Sequence, residues 1–268
     1  MPSMSDSNEL PPIIDSLTAP TLVTASAIAD KQPPLSIVHL MAWITGSAFI
    51  LTGYRLLEFD RDSTSPSIMI AFQSLNAMIQ GAAMASVGLW AWRRMRGGAR
   101  FPVAPGHYLL CIIGCNTVLQ WGLIFLWLAG TKAQGIVDQY RLGYLGIYSA
   151  SQFLEAGLLV YAGMSISRVR HWSMALLALA GSSVLRMLQS LAYLVVFAYE
   201  QWPIVPLLSY LDKLPGSLTL AAVGIACFID LWRSQQRDWL HWLGVVIVAA
   251  GVASQWGFQL VMWLVTSA

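Results

Sequence analysis

The chain is 268 residues long, 57% of them hydrophobic and only 10% charged, with a mean hydropathy of +0.62. Soluble domains carry about 25% charged residues, so a protein with one soluble core is excluded and lipid must cover the apolar excess. The formal net charge of +2 comes from arginines beside apolar runs rather than on a face of their own, and gives no nucleic-acid signature.

Residues 1–34 are rich in Ser, Thr, Pro and Asp and show no apolar period. The opening MPSMSDSNEL is acidic and no apolar stretch follows it directly, which speaks against a signal peptide. A disordered cytoplasmic tail is expected there, and one transmembrane helical bundle over 35–268. Seven apolar runs follow, at 35–57, 67–92, 106–129, 143–164, 173–199, 216–232 and 241–266. A bilayer core of roughly 30 Å needs about 20 apolar residues per helix, so the expectation is an all-α, polytopic integral membrane protein with about seven transmembrane helices. The sixth run is the shortest and ends in Asp230. The segment EQWPIVPLLSYLDKLPGS before it is too broken by prolines to span and is expected to lie on the membrane surface.

Basic residues set the orientation. Lys31, Arg93, Arg94, Arg96, Arg100, Arg168, Arg170, Arg233 and Arg237 fall on one side; Arg55, Arg61, Lys132, Arg141 and Lys213 fall on the other. Nine against five places the amino terminus in the cytoplasm and the carboxyl terminus outside the cell membrane. Trp90, Trp92, Trp172, Trp232, Trp239 and Trp242 flank the basic connections as an aromatic belt.

Two charges interrupt the apolar runs, Glu155 in the fourth and Arg186 in the fifth. A charge at that depth costs about 2.5–3.5 kcal/mol on insertion scales and calls for a partner or a task. At 1.5 Å per residue, Glu155 lies about 20 Å in from Arg168 and Arg186 about 24 Å in from Arg170, so the two are expected to meet on adjacent antiparallel helices. Gln73, Asn76 and Gln80, Asn116 with Gln120, Gln152 with Glu155, Arg186 with Gln189, and Gln255 with Gln259 recur at three or four residues, one helix face each. Five spans thus carry a polar face at similar depth. Gly81, Ala82 and Ala83, then Gly181, Ser182 and Ser183, then Gly251, Ala253 and Ser254, are the small residues expected to allow close helix approach.

Weak repetition accompanies the layer. QSLNA at 73–77 resembles QFLEA at 152–156, and His39, His107, His171 and His241 recur at intervals of about 64–70 residues, a pattern of repeated helical hairpins. RVRHW at 168–172 and RDWLHW at 237–242 share a basic, His, Trp character. No metal-ligand spacing supports a metal or haem site, and no cofactor is expected. Cys111, Cys115 and Cys227 sit within apolar runs without a CxxC. There is no GxSxG, and an enzyme is not expected.

Two functions fit this pattern. In the first, a small transporter or channel-like protein binds a small solute, ion or proton at the layer. Glu155 is then the titrating or cation-contacting group and Arg186 its counter-charge, with Gln152, Gln189, Asn76, Asn116 and Gln255 supplying hydrogen bonds. In the second, a non-catalytic scaffold, assembly factor or complex subunit uses the layer as packing glue and meets other membrane subunits.

Overall fold

In a computed structural model the described residues are 37–56, 66–95, 104–132, 140–199, 208, 211, 213–235, 237 and 239–267. They form seven helices: α1 (Ile37–Leu56), α2 (Pro66–Met95), α3 (Pro105–Lys132), α4 (Tyr140–Ser165), α5 (Arg170–Tyr199), α6 (Lys213–Trp232) and α7 (Trp239–Ser267). No strand occurs among the described residues. Each helix end lies within three residues of the corresponding apolar run. The tail at 1–34, Arg61, Arg96 and Arg100 lie outside the described residues, as does most of 200–212.

Local chemistry explains the ends. α2 and α3 open on Pro66 and Pro105, where the missing N–H costs nothing and the ring sets a helical φ. Pro215 lies in the first turn of α6, so the proline-broken segment turns helical three residues before the expected 216. α6 closes on a Schellman motif. The Gln235 amide donates to the Asp230 carbonyl and the Ser234 amide to that of Leu231, both at 3.0 Å, with Ser234 at φ 50°.

Six of the seven helices are long and apolar enough to cross a membrane: α1, α2, α3, α5, α6 and α7. The chain is a multi-pass membrane protein, and its outward side chains agree. Leu126 is 73% exposed and Trp232 79%, with Phe153, Ile225 and Val246 also turned outward. A soluble surface rarely tolerates such patches. α4 is the helix that falls short of the spanning hydropathy, because it carries Gln152, Glu155 and several serines and glycines. It packs between α3 and α5 and makes its most extensive contact with α5.

α1 packs chiefly on α2, and α2, α3, α4, α5, α6 and α7 close into a ring through successive neighbours and the α2–α7 contact, with α3 also against α7. Gly46 and Gly81 bring α1 and α2 together: a Cβ on Gly81 would fall 2.5 Å from the Ser47 amide nitrogen. Gly106 and Gly244 do the same for α3 and α7, each facing backbone atoms of the other helix where a Cβ would collide. By contrast, Gly181 and Gly251, expected at close approaches, face open space. The largest core cluster gathers Leu109, Leu159, Trp172, Leu176, Val223 and Val248 from five helices.

Candidate functional site

The ring of helices encloses a central cavity of about 220 Å³. Asn76, Asn116, Gln152, Glu155, Arg186 and Gln255 all line it, from five different helices. Gln189 does not; it stands one turn beyond Arg186 on α5, outside the lining. Gln80, Gln120, Thr117, Tyr148, Ser183 and Thr219 complete the polar wall. Thr219 and Tyr148 carry no mid-span signal in the sequence, because threonine and tyrosine are ordinary in apolar runs.

Glu155 is held by neutral donors. Asn116 Nδ2 donates to Oε2 at 2.7 Å and the Ser183 hydroxyl to Oε1 at 3.0 Å. Arg186 turns the other way and donates through Nη2 to Thr219 Oγ1 at 3.4 Å, a long bond. Ser182 gives its one proton to the Pro215 carbonyl at 2.8 Å, so across its 2.8 Å contact with Thr219 it accepts. A chain therefore runs from Arg186 through Thr219 and Ser182 to the backbone of α6. Among the described residues no ion pair joins Glu155 to Arg186. The expected contact is corrected: the two share the cavity, but Glu155 takes Asn116 and Ser183 while Arg186 reaches Thr219.

Helix geometry explains why. Successive residues turn by about 100°, so Ser182 faces α6 while Ser183 faces α4. Arg186 falls on the face between them, four residues beyond one and three beyond the other, and its long side chain settles toward Thr219.

The wall is not fully satisfied. Asn116 Oδ1 and Gln152 Oε1 are buried without a hydrogen-bond partner, although both residues are more than nine-tenths buried. Each such acceptor costs about 1–3 kcal/mol unless a donor reaches it. Elsewhere Trp121 Nε1 donates to Gln80 Oε1 at 2.8 Å, and the Ser254 hydroxyl donates to the Gly251 carbonyl at 2.9 Å while lying 3.3 Å from Asn76 Oδ1. The cavity lining thus carries a carboxylate and a guanidinium, with two unpartnered carbonyl acceptors buried in its wall.

A second cluster, at the Arg170 end of α5, escaped the sequence. Asp230 is 0% exposed. His171 Nε2 lies 2.7 Å from Oδ1, Trp172 Nε1 donates to Oδ2 at 2.8 Å, and Arg237 donates from Nε to Oδ2 at 2.9 Å and from Nη2 to Oδ1 at 3.2 Å. His241 Nε2 stands 3.8 Å from Oδ2, and its Nδ1 accepts the Gly106 amide at 2.9 Å. The carboxylate ties α5, α6 and the start of α7 together, and His241 adds α3. Trp172 is therefore no belt residue; it is fully buried, edge-on to His241 with ring centroids 5.0 Å apart. The recurrence of basic, His and Trp in RVRHW and RDWLHW was the signal, since both strings supply this cluster.

No family model, curated protein or solved structure matches this chain. Its chemistry must be read from the two clusters themselves. The Asp230 cluster is saturated by its own neighbours and reads as a structural clasp. The central cavity keeps unsatisfied groups, so it is the candidate site.

Proposed function

We propose that this chain is a seven-span carrier in the cell membrane, binding a small polar solute or a proton in its central cavity. The observation that supports it is the pair of buried, unpartnered acceptors, Asn116 Oδ1 and Gln152 Oε1, in the wall of a cavity that Glu155 and Arg186 also line. Packing glue works by pairing polar groups; a binding site leaves some for its occupant. At about 220 Å³ the cavity lies below the roughly 300 Å³ where drug-sized pockets begin, so the occupant is small. Its donors meet Glu155, Asn116 and Gln152, and Arg186 meets any acceptor or anionic group. The nine-to-five distribution of basic residues supports a cytoplasmic amino terminus.

Proteoliposomes test the reading. Under an imposed potential, a pH-sensitive dye reports proton entry, and exchange with a panel of small zwitterions reports solute movement. Wild-type protein should move at least one, and Glu155→Gln should abolish that movement at unchanged folding yield. Flux unaffected by Glu155→Gln would remove Glu155 from the site.

The second reading, a non-catalytic membrane subunit, draws on the bonds that the layer does make, Asn116 to Glu155 and Trp121 to Gln80. It predicts no flux in any variant, together with a loss of stability in Glu155→Gln.

A further inference from the structure

A separate cavity of about 390 Å³ lies at the turn between α4 and α5, against the carboxyl end of α6. Arg168, Arg170 and Arg233 line it together with His171 and Gln235. All three arginines are exposed. None makes a hydrogen bond or ion pair with another described side chain; Asp230, the described acid beside them, already holds His171, Trp172 and Arg237. Three guanidinium charges thus surround one space, and no acidic side chain among its described lining residues balances them.

The backbone adds to the same polarity. α5 begins at Arg170, and Val169 before it has no side-chain oxygen to cap the first-turn amides. The positive end of the α5 dipole therefore stands at the cavity rim, where the amides of Val169 and Trp172 are already bonded and those of Arg170 and His171 have no backbone partner among the described residues. At the opposite helix end the Schellman motif occupies the carbonyls of Asp230 and Leu231. Both walls are stiff. The turn is held by the hydrogen bond from the Val169 amide to the Ile166 carbonyl at 2.9 Å, and Gln235 by the one its amide donates to the Asp230 carbonyl.

The setting decides between sources of the anion. Phe228, Leu231 and Trp232 on α6 and Met174 on α5 project outward within a turn or so of the arginines. An anion in this pocket would carry its apolar chains along that surface. We propose that the pocket is a binding site for a phosphate group, supplied by the headgroup of an anionic phospholipid. It is independent of the central cavity and of the transport reading. With the basic side in the cytoplasm, the pocket meets the leaflet where anionic lipids concentrate.

The test uses the purified full chain in detergent, with native mass spectrometry and thermal melting as readouts. Phosphatidylglycerol, phosphatidylcholine and inorganic phosphate are the three probes. Phosphatidylglycerol should remain bound to the wild-type chain and raise its melting temperature, with phosphatidylcholine doing neither. Each Arg→Gln change should weaken that binding roughly fivefold, the factor that about 1 kcal/mol per basic residue corresponds to. The triple variant Arg168→Gln, Arg170→Gln, Arg233→Gln should then lose roughly a hundredfold. Should the triple variant fail to fold, Arg233→Gln alone reads the fivefold step. Undiminished phosphatidylglycerol binding in these variants would overturn the site. Stabilisation by inorganic phosphate alone, with no added effect of phosphatidylglycerol, would overturn the lipid as the source.

Discussion

Glu155 and Arg186 line one cavity in the middle of the bundle without pairing: the carboxylate takes Asn116 and Ser183, and the guanidinium takes Thr219. A buried ion pair would have neutralised both charges and closed the site. Unpaired with each other, both charges remain in the lining for whatever occupies the cavity.

That separation sets the outcome of a double-mutant cycle. Glu155→Gln and Arg186→Met, which share no hydrogen-bond partner, should couple by less than the roughly 3–5 kcal/mol that breaking a buried ion pair costs. Thermal melts of the two single variants and the double variant in one detergent measure it. A coupling of several kcal/mol would mean that the charges pair directly.

Gln152→Leu separates a binding site from glue in one substitution. It removes a buried acceptor that has no partner and leaves a side chain of similar size. Stability should rise, by as much as the roughly 1–3 kcal/mol that an orphaned group costs, while flux in proteoliposomes falls. A loss of stability would show that Gln152 is a packing contact.

The Asp230 clasp should be the costliest polar group to break. Asp230→Asn leaves Arg237 and His171 without their carboxylate, and removing one member of a buried charged pair typically costs about 3–5 kcal/mol. Its melting temperature should fall well below that of Glu155→Gln, whose carboxylate has only neutral partners. An Asp230→Asn protein that melts like wild type would contradict the clasp.

Backbone contact predicts a contrast among glycines. Gly244→Ala drives a methyl into the backbone of Gly106 and should destabilise by about 1–3 kcal/mol or more. Gly130→Ala meets nothing within 4 Å and should be neutral or slightly stabilising. Ser234→Gly, at the left-handed residue that ends α6, should stabilise by about 1 kcal/mol. Melting temperatures of the three variants order them directly.

The helices were legible because long apolar runs permit little else in lipid, and the proline and glycine punctuation marked their ends. The depth of the polar layer was legible too, since rise per residue is fixed. Rotation about each helix axis was not. Counting put Glu155 and Arg186 at one height, but the azimuths of Ser182 and Ser183 send them to different neighbours. Burial at the membrane boundary was equally hidden. Trp172 and Trp232 both adjoin basic residues in sequence, yet one bonds Asp230 inside the bundle and the other faces outward. Gln189 keeps the three-residue spacing from Arg186 but overshoots the end of the cavity.

A carrier's cavity must admit water from one side of the membrane, and thiol labelling measures that access. Gly251 lines the cavity with room for a side chain, so Gly251→Cys, with Cys111, Cys115 and Cys227 replaced by Ala, reports from inside. A membrane-impermeant methanethiosulfonate should modify it from one side of the membrane, and leave Leu126→Cys, on the lipid-facing surface, unmodified. Equal protection of both positions from either side would mean a dry, sealed layer, and the carrier account would fail.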